Sequence, residues 1–439
     1  MIKFLSNKKI YLDNAGATPL DKKVAKTMAI CERKYFSNPS AIFTDGVKVR
    51  SVIDEARLKI AKLINAHSDE IIFTGSGTES DALALLGVVR GWRIKNKDMI
   101  PHIITTKIEH PAILENCRLL ESLGESEVTY ISVNKDGIIK LEELEESLKE
   151  NTVLVSVMYA NNEIGTIQPI QEIAKIIRRF RKQKKEEQIR FLRSSDEGKR
   201  GARPFKNELI PPFSQFVDLP YFHTDACQAV NYLFTENIEK LGVDLMTFNS
   251  SKIYGPKGVG ILYKKRNIEL CPLYGGGGQE FGLRSGTESA ALITSVAEAF
   301  SITNKIKQKE SERLIKIRDY GIDKLLSLSK ISGYKIILNG DKNKRLPNNI
   351  NISVSGISSE LLVIELSARS IFVSEKSACK GNDSSKSYVI DAIRKVCPKK
   401  GTEADGSLRI SLGRDTKKGD MDILYKSLKD ILIKYKKWK

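Results

Sequence analysis

One stretch of this sequence reads Thr247-Phe-Asn-Ser-Ser-Lys-Ile-Tyr-Gly-Pro-Lys-Gly258. Its lysine, Lys252, follows an apolar run and precedes a Gly/Pro turn, and a second apolar run begins at Val259. This order predicts a strand, a turn that carries the lysine, and another strand. Burial between strands disfavours the charged form of a lysine and lowers its pKa, so Lys252 is a candidate nucleophile that binds an aldehyde cofactor covalently. The alternative is an ordinary surface lysine, since the chain contains 72 Lys and Arg residues.

A carboxylate lies upstream of this lysine, in Tyr221-Phe-His-Thr-Asp-Ala-Cys-Gln-Ala-Val230. A short apolar strand is predicted to end at Asp225, and Gln228 follows it. A carboxylate at a strand end can keep the ring nitrogen of pyridoxal 5'-phosphate (PLP) protonated, which that cofactor needs because its pyridinium is the electron sink. Taken alone, Asp225 is better explained as the cap of a following helix. An acid followed by a lysine in a β-α-β context indicates a PLP site more strongly than either residue does.

Together, Asp225-Ala-Cys-Gln228 and Ser251-Lys-Ile-Tyr-Gly-Pro-Lys-Gly258 resemble motifs of the class V aminotransferase family, which consists of fold-type I PLP enzymes. Within that family the chain is similar to the class I cysteine desulfurases. The resemblance runs from about Ile10 to the last residues and is interrupted by one insertion. By this resemblance, Gln228 is expected to hydrogen-bond the phenolic oxygen of PLP.

The length of 439 residues is sufficient for two domains and a large core. The resemblance implies an α/β fold, the PLP-dependent transferase fold type I. A large PLP-binding domain with a mainly parallel seven-stranded sheet is expected at residues 17–308. Residues 1–16 and 309–439 are expected to form a smaller α+β domain.

The composition is ordinary for a soluble globular protein, with 41% hydrophobic and 29% charged residues. No apolar run approaches the roughly 20 residues that cross a bilayer, and the first ten residues lack the apolar core of a secretory signal. The six cysteines are scattered without a C-x-x-C pair, so we expect neither a metal site nor a disulfide framework. These features favour a cytoplasmic protein without a membrane segment.

The net charge of +18 is partly local. Residues 178–206 contain 12 Lys or Arg residues against 4 Asp or Glu residues. The resembling family joins its flanking elements by a shorter link, so we interpret residues 181–218 as a basic insertion on the surface of the large domain. Such a block can dock an RNA or an acidic protein, but it is more often a solvated loop. Direct nucleic-acid binding is therefore the less favoured interpretation.

A Gly-rich turn is a candidate phosphate site. Ile71-Ile-Phe-Thr-Gly-Ser-Gly-Thr-Glu-Ser80 predicts a strand, a turn and a helix start, where backbone N–H groups bind phosphate well. It is not a P-loop, because no G-K-[ST] follows. By the resemblance, Gly77 and Thr78 hold the PLP phosphate. The family has His immediately before the lysine and Ser or Thr two positions earlier, whereas this chain has Ser251 and Asn249, which both retain hydrogen-bond donors for the phosphate.

Three further residues match cofactor or substrate positions of the family. His110, in Glu109-His110-Pro-Ala-Ile-Leu114, corresponds to the histidine that stacks on the PLP ring and passes a proton. Asn162, in Asn161-Asn-Glu-Ile-Gly-Thr-Ile-Gln168, is expected to contact the ring oxygen of PLP and the substrate carboxylate. Asn38 is a weaker candidate for a substrate contact. The other histidines are interpreted as structural.

Leu408-Arg-Ile-Ser-Leu-Gly-Arg414 predicts a strand with two arginines. A planar guanidinium pairs bidentately with a carboxylate. By the resemblance, Arg409 binds the carboxylate of the substrate, and Arg414 is interpreted as structural.

The glycine run Tyr274-Gly-Gly-Gly-Gly-Gln-Glu280 leads into Arg284-Ser-Gly-Thr287. A glycine run by itself is also typical of a linker. In the resembling family this segment crosses a dimer interface, and its threonine reaches the phosphate in the neighbouring subunit. Thr287 matches that position, so we expect a homodimer with shared sites.

Cys379 lies in the polar segment Ser374–Ser387. A water-exposed loop keeps a thiol accessible, and the neighbouring Lys376 and Lys380 favour the thiolate. The alternative is an idle surface thiol. By the resemblance, Cys379 is the catalytic cysteine, carried by a loop of the smaller domain.

The sequence therefore predicts a cysteine desulfurase, in which Lys252, Cys379 and His110 are catalytic. L-cysteine is converted to L-alanine, and Cys379 carries the sulfur as a persulfide for iron–sulfur cluster assembly or tRNA thiolation. The acceptor protein is left open. The alternatives are a selenocysteine lyase or another class V aminotransferase, and, in a different class, a sulfur-relay or RNA-binding platform without turnover.

Overall fold

The computed structural model describes residues 9–197, 219–375, 387–395 and 407–436. Its strands within these ranges are β1 (Ile10–Tyr11), β2 (Ile71–Thr74), β3 (His102–Thr106), β4 (Glu127–Ile131), β5 (Thr152–Ser156), β6 (Tyr221–Asp225), β7 (Leu245–Asn249), β8 (Gly260–Lys264), β9 (Ile336–Leu338), β10 (Asn349–Val354), β11 (Ile371–Phe372) and β12 (Leu408–Ser411). Its helices are α1 (Lys22–Lys34), α2 (Thr44–Leu63), α3 (Gly77–Lys95), α4 (Pro111–Ser122), α5 (Leu141–Ser147), α6 (Ile170–Glu197), α7 (Ile238–Leu241), α8 (Ala290–Ser327), α9 (Ser329–Ser332), α10 (Ser359–Ser367), α11 (Tyr388–Lys395) and α12 (Lys418–Lys436).

A seven-stranded sheet in the order β2-β8-β7-β6-β5-β3-β4 forms the centre of the larger part of the molecule. Strand β8 pairs antiparallel with β2 and β7, and the remaining pairs are parallel. The predicted mainly parallel seven-stranded sheet is therefore confirmed. So is the predicted strand–turn–strand, because Lys252 lies between β7 and β8.

Both faces of this sheet are covered by apolar packing. Alternate residues of the central strands enter different clusters: Val155 packs on one side with residues of α2 and α6, and Leu154 packs on the other with residues of α3 and α4. This two-sided burial explains the near-continuous apolar runs of the parallel strands. It leaves the carboxyl ends of the strands as the open edge, where ligands bind in sheets of this kind.

A second core surrounds the three-stranded antiparallel sheet β12-β10-β9. The N-terminal strand β1 pairs in parallel with β11 near the other end of the chain. The 38-residue helix α8 spans both parts, since its first turns pack in the large core and its last turns in the second. This second part combines short strands with helices such as α10, whereas the exact domain boundaries stay a prediction.

The first part of the basic insertion is helical, whereas a surface loop was predicted. Helix α6 continues through residues 181–197 instead of ending near Arg181. Long straight side chains such as Lys, Arg, Gln and Glu favour a helix even where few apolar residues support it. The rest of the predicted insertion, residues 198–218, lies outside the described residues. In the part of the chain that is described, no helix combines the length and apolarity needed to traverse a bilayer.

Candidate active site

A cavity of about 140 Å³ lies at the carboxyl-end edge of the seven-stranded sheet. Residues from both ends of the chain meet there, because β1 and β12 bring their flanking loops to the edge of the large sheet. The cavity is lined by Ala15, Gly16, Gly77, Thr78, Asp81, His110, Met158, Asn162, Asp225, Cys227, Gln228, Asn249, Lys252 and Arg409.

Asp225 is the last residue of β6 and is buried at the wall of the cavity. Its Oδ1 atom accepts a hydrogen bond from the Cys227 backbone N–H at 2.8 Å. The following residues form turns rather than a helix, so the alternative in which Asp225 caps a helix does not hold. Gln228, in the same turn, donates from Nε2 to the Ala15 carbonyl at 3.0 Å and keeps a second amide hydrogen for a ligand.

Lys252 ends a short 3₁₀ turn directly after β7 and is half-buried. Its Nζ donates a hydrogen bond to the carbonyl oxygen of Gly16. The small-residue turn at the N-terminus packs on this segment, because Thr18 donates from its backbone N–H to the Ser251 carbonyl at 2.9 Å. A Cβ atom at position 16 would come within 2.5 Å of Asp13 Oδ2, so glycine leaves room for the Asp13 carboxylate.

The predicted phosphate turn forms the start of α3. Ser76 caps this helix by accepting from the Glu79 N–H at 3.1 Å, and the first-turn N–H groups, which include those of Gly77 and Thr78, have no helical acceptor. A Cβ atom at Gly77 would lie 3.1 Å from both Asn249 Nδ2 and Cys227 Sγ. Glycine at this position therefore keeps the floor of the cavity open.

The pair Asn249 and Ser251 replaces the residues of the resembling family before the lysine. Asn249 Oδ1 accepts from both the backbone N–H and the hydroxyl of Ser251, each at 3.0 Å. The Ser251 hydroxyl hydrogen is thus used inside the protein, and the Asn249 amide is the donor of the pair that lines the cavity.

His110 caps helix α4, and its Nδ1 accepts from the Ala112 N–H at 3.1 Å. Burial lowers the pKa of His110, and the Asp225 carboxylate opposes that effect only in part. The ring is therefore neutral near pH 7 with its proton on Nε2, because Nδ1 acts as an acceptor. The adjacent Glu109 is buried behind it, and burial raises the pKa of its carboxyl to about 8.

Arg409 lies on β12 and is only 1% exposed. Its Nη2 donates to Asp13 Oδ1 at 2.8 Å and its Nη1 donates to the Asn162 carbonyl at 3.3 Å. Arg409 Nε and Asn162 Oδ1 are both buried at the cavity without a hydrogen-bond partner among the described residues. Buried polar atoms of this kind indicate a ligand that completes their hydrogen bonds.

The cavity gathers most of the predicted site residues. Those that line it are Gly77, Thr78, His110, Asn162, Asp225, Gln228, Asn249, Lys252 and Arg409. Three candidates do not line it: Ser251 is behind Asn249, and Asn38 and Thr287 are exposed on the surface of this single chain. Cys379 lies outside the described residues.

Two acids at the site were missed by the sequence reasoning. Asp13 holds Arg409, and its only sequence signal is its place just before the small-residue turn. Asp81 lines the cavity from α3. It comes four residues after Gly77, so helical spacing already placed the two on one face.

The chain matches the family described as Aminotransferase class-V over residues 10–183 and 218–424. Cysteine desulfurase IscS of Dictyoglomus turgidum is 39% identical over 427 residues, which cover 97% of this chain and 95% of that protein. The chain belongs to the cysteine desulfurases of the class-V aminotransferase family. A solved NifS-like protein superposes with a TM-score of 0.79 at 30% identity, covering 97% of this chain and 99% of that one. A solved structure described as SspA in complex with cysteine has a TM-score of 0.70 at 29% identity, covering 92% and 99%.

Class-V aminotransferase relatives depend on PLP, and the cavity of this family member fits that cofactor. A buried carboxylate on Asp225 suits the ring nitrogen, and the Lys252 amine suits the aldehyde. The first turn of α3 beside Gly77 suits the phosphate. The unpartnered Asn162 Oδ1 and Arg409 Nε supply polar contacts for the cofactor and the substrate bound to it.

Proposed function

We propose that this protein converts L-cysteine to L-alanine and leaves the sulfur as a persulfide on Cys379. The observation that carries the proposal is the convergence of Lys252, Asp225 and Arg409 on one cavity. These residues supply an amine for an aldehyde, a carboxylate for a pyridine nitrogen, and a guanidinium for an amino-acid carboxylate. Relatives named cysteine desulfurases favour this activity over a selenocysteine lyase or an aminotransferase.

The substrate carboxylate binds Arg409, which Asp13 orients from behind through the 2.8 Å ion pair. The Asn162 side-chain amide lines the same cavity, and the backbone carbonyl of Asn162 accepts a hydrogen bond from the Arg409 guanidinium. His110 lines the cavity, oriented by the hydrogen bond that its Nδ1 accepts from the Ala112 N–H, and would present its ring face to the cofactor. The substrate is thereby positioned with its Cα near Lys252.

PLP, when bound, would supply an electron sink for the substrate Cα. The Asp225 carboxylate would hold a proton on its ring nitrogen by charge and hydrogen bonding. Lys252 Nζ removes the Cα proton and later returns a proton to the product, since its amine lies at the same cavity wall. His110, whose Nδ1 is occupied as an acceptor, would use Nε2 to assist proton movement near the substrate thiol.

The sulfur step needs Cys379 at the cavity. Ser374 is paired with Arg409 through both backbone groups, at 2.7 and 3.1 Å. Cys379 follows Ser374 by five residues, a span of at most about 18 Å in an extended chain. At the other end, Ser387 donates to Glu163 Oε2 at 2.6 Å, beside Asn162. Chain length therefore permits the Cys379 thiol to reach the substrate from anchors on both sides.

The Cys379 thiolate attacks the substrate sulfur, so that an S–S bond forms and the substrate C–S bond breaks. The electron pair of that bond stays with the carbon, which is then protonated to give alanine. One cysteine and one thiol thus give one alanine and one persulfide. The persulfide passes to an acceptor protein, for which we propose an iron–sulfur scaffold or a tRNA-thiolation enzyme in the cytoplasm.

We also propose a homodimer. Large apolar side chains protrude between α1 and α2, where Phe36 is 81% and Ile42 97% exposed. Phe281, six residues before Thr287 in the sequence, is 59% exposed. Exposed apolar groups of this size mark interaction surfaces, and a second copy would cover them and bring Thr287 to the neighbouring phosphate turn.

The test is the release of alanine and sulfide from L-cysteine with added PLP and a reductant. We expect equimolar products from the wild type and their loss in Cys379→Ala. Cys271→Ala is the matched control, because Cys271 is a partly exposed thiol that does not line the cavity. Turnover that survives in Cys379→Ala would indicate a lyase or aminotransferase that uses Lys252 alone. A wild type that binds no PLP and has no turnover would instead indicate a relay or RNA-binding platform.

A further inference from the structure

A second buried acid, Asp81, lines the cofactor cavity beside Asp225. It lies on α3, one helical turn after Gly77, and is 1% exposed. Its Oδ1 atom has no hydrogen-bond partner among the described residues. The proposed mechanism assigns no role to this carboxyl group, although an ionised carboxylate in such a place would be costly.

The imidazole of His223 lies beside Asp81. Its Nε2 is 3.7 Å from Asp81 Oδ1, which is beyond hydrogen-bond distance. The His223 ring is already engaged, with Nδ1 2.9 Å from Ser156 Oγ and Nε2 3.1 Å from Thr247 Oγ1. Burial lowers the pKa of His223 to about 4, so this ring is neutral near pH 7.

Asp81 and Asp225 are two buried acids on the wall of one cavity. Asp225 accepts a backbone hydrogen bond from Cys227 and faces the open cavity, whereas Asp81 is more deeply buried. Burial and the neighbouring Asp225 carboxylate raise the pKa of Asp81 well above its usual range, and the hydrogen bond with the Thr247 side chain opposes this only in part. Deep burial and a like charge at the same site both favour the protonated form of a carboxyl group. The titratable and charged groups around this pair are Glu109, His110, His223, Cys227, Lys252 and Arg409.

We propose that Asp81 is a positioning residue that stays un-ionised at neutral pH and so confines the carboxylate charge of the cavity to Asp225, which faces the cofactor ring. The inference rests on the proposed role of Asp225 toward PLP. Asp81 is on the same helix as the phosphate turn, so its ionisation would add a negative charge near a bound phosphate. Asp81 thereby makes cofactor retention sensitive to alkaline pH.

The first test is the melting temperature of the apo-protein between pH 5 and pH 8.5, for wild type and Asp81→Asn. A carboxyl that is protonated when folded and ionised when unfolded destabilises the folded state progressively as pH rises above its unfolded pKa. The isosteric amide removes this loss. The melting temperature of Asp81→Asn relative to that of the wild type should therefore rise by about 1.5 °C per pH unit for a chain of this size.

The control is Asp69→Asn. Asp69 pairs with Arg266 on the surface, and that hydrogen bond lowers the pKa of its carboxyl. This ion pair contributes its full stabilisation at every pH above the pKa of Asp69 in the unfolded chain. The difference in melting temperature between Asp69→Asn and the wild type should therefore stay constant over the same pH range. A constant difference for Asp81→Asn, or one that falls as pH rises, would overturn the proposal. Asp81→Ala must give the same trend and serves if the amide variant does not fold.

The second test is the dissociation constant of PLP from the apo-protein, measured by absorbance titration between pH 7 and pH 9.5. Wild-type affinity should fall relative to that of Asp81→Asn as the pH rises, because the amide variant gains no negative charge beside the phosphate. Parallel pH profiles in the two proteins would refute the link to the cofactor. If neither protein binds PLP, the proposed function fails, while the apo-protein melting series still decides the protonation state of Asp81.

Discussion

Replacing Arg409 by lysine tests whether this residue binds the substrate carboxylate. The guanidinium uses Nη2 for Asp13 and Nη1 for the Asn162 carbonyl, and its Nε remains for the cavity. A lysine ammonium is a point charge without this planar fork. It can retain the ion pair with Asp13, but it cannot hold the substrate at the same time in the same geometry.

The size of the effect follows from the lost contact. One charge-assisted hydrogen bond to the substrate carboxylate contributes about 1.5–3 kcal/mol, which corresponds to a loss of about 10- to 150-fold in kcat/KM. Because the carboxylate is bound equally in ground state and transition state, we expect most of the loss in KM. The assay is the initial rate of alanine formation over a range of L-cysteine concentrations.

Arg414→Lys is the matched control from the same strand motif. Arg414 pairs with Asp21 at 3.0 Å, stacks 3.9 Å from the Tyr254 ring centre, and does not line the cavity. We expect this variant to melt at a lower temperature with KM within about threefold of wild type. If Arg409→Lys also leaves KM within threefold, or if both variants raise it equally, the assignment of the substrate carboxylate to Arg409 is wrong.

Two further predictions concern the framework of the site. Glu280 binds the buried Arg57 guanidinium through two hydrogen bonds, at 2.6 and 2.8 Å, so Glu280→Gln should lower the free energy of unfolding in chemical denaturation by about 3–5 kcal/mol. Glu298→Gln, which breaks a more exposed ion pair with Lys59, should cost about 1 kcal/mol or less. Equal losses in the two variants would contradict the argument. Gly77→Ala puts a Cβ atom 3.1 Å from Cys227 Sγ at the phosphate turn, so the affinity for PLP should fall by about tenfold. An unchanged dissociation constant would show that the turn does not hold the phosphate.

Much of the fold was predictable because its signals are local. The apolar run before Asp225 and the turn around Lys252 gave the correct strands, since strand periodicity and Gly/Pro turns depend on near neighbours. Helix α6 extended further than predicted, because a charged sequence without apolar periodicity resembles a loop even where its helix propensity is high.

The candidate site was predictable residue by residue wherever a motif marked it, but its internal partners were not. Ser251 was expected to face the phosphate, yet the structure turns its hydroxyl toward Asn249. A sequence shows which donors exist but not which acceptor each one meets. The role of Ser251 at the phosphate stays a prediction, as do those of Asn38 and Thr287.

The sequence by itself determined which chemical groups the candidate site contains: a lysine on a turn between strands, an acid at the end of a strand, and an arginine in a strand motif. These features depend on residue type and short spacing, which the chain carries without folding. Only the tertiary structure decided that Asp13 orients Arg409 across 396 residues of chain, and that Asp81 lies buried beside Asp225. The physical reason is that burial and charge repulsion arise only when distant segments pack together and exclude water.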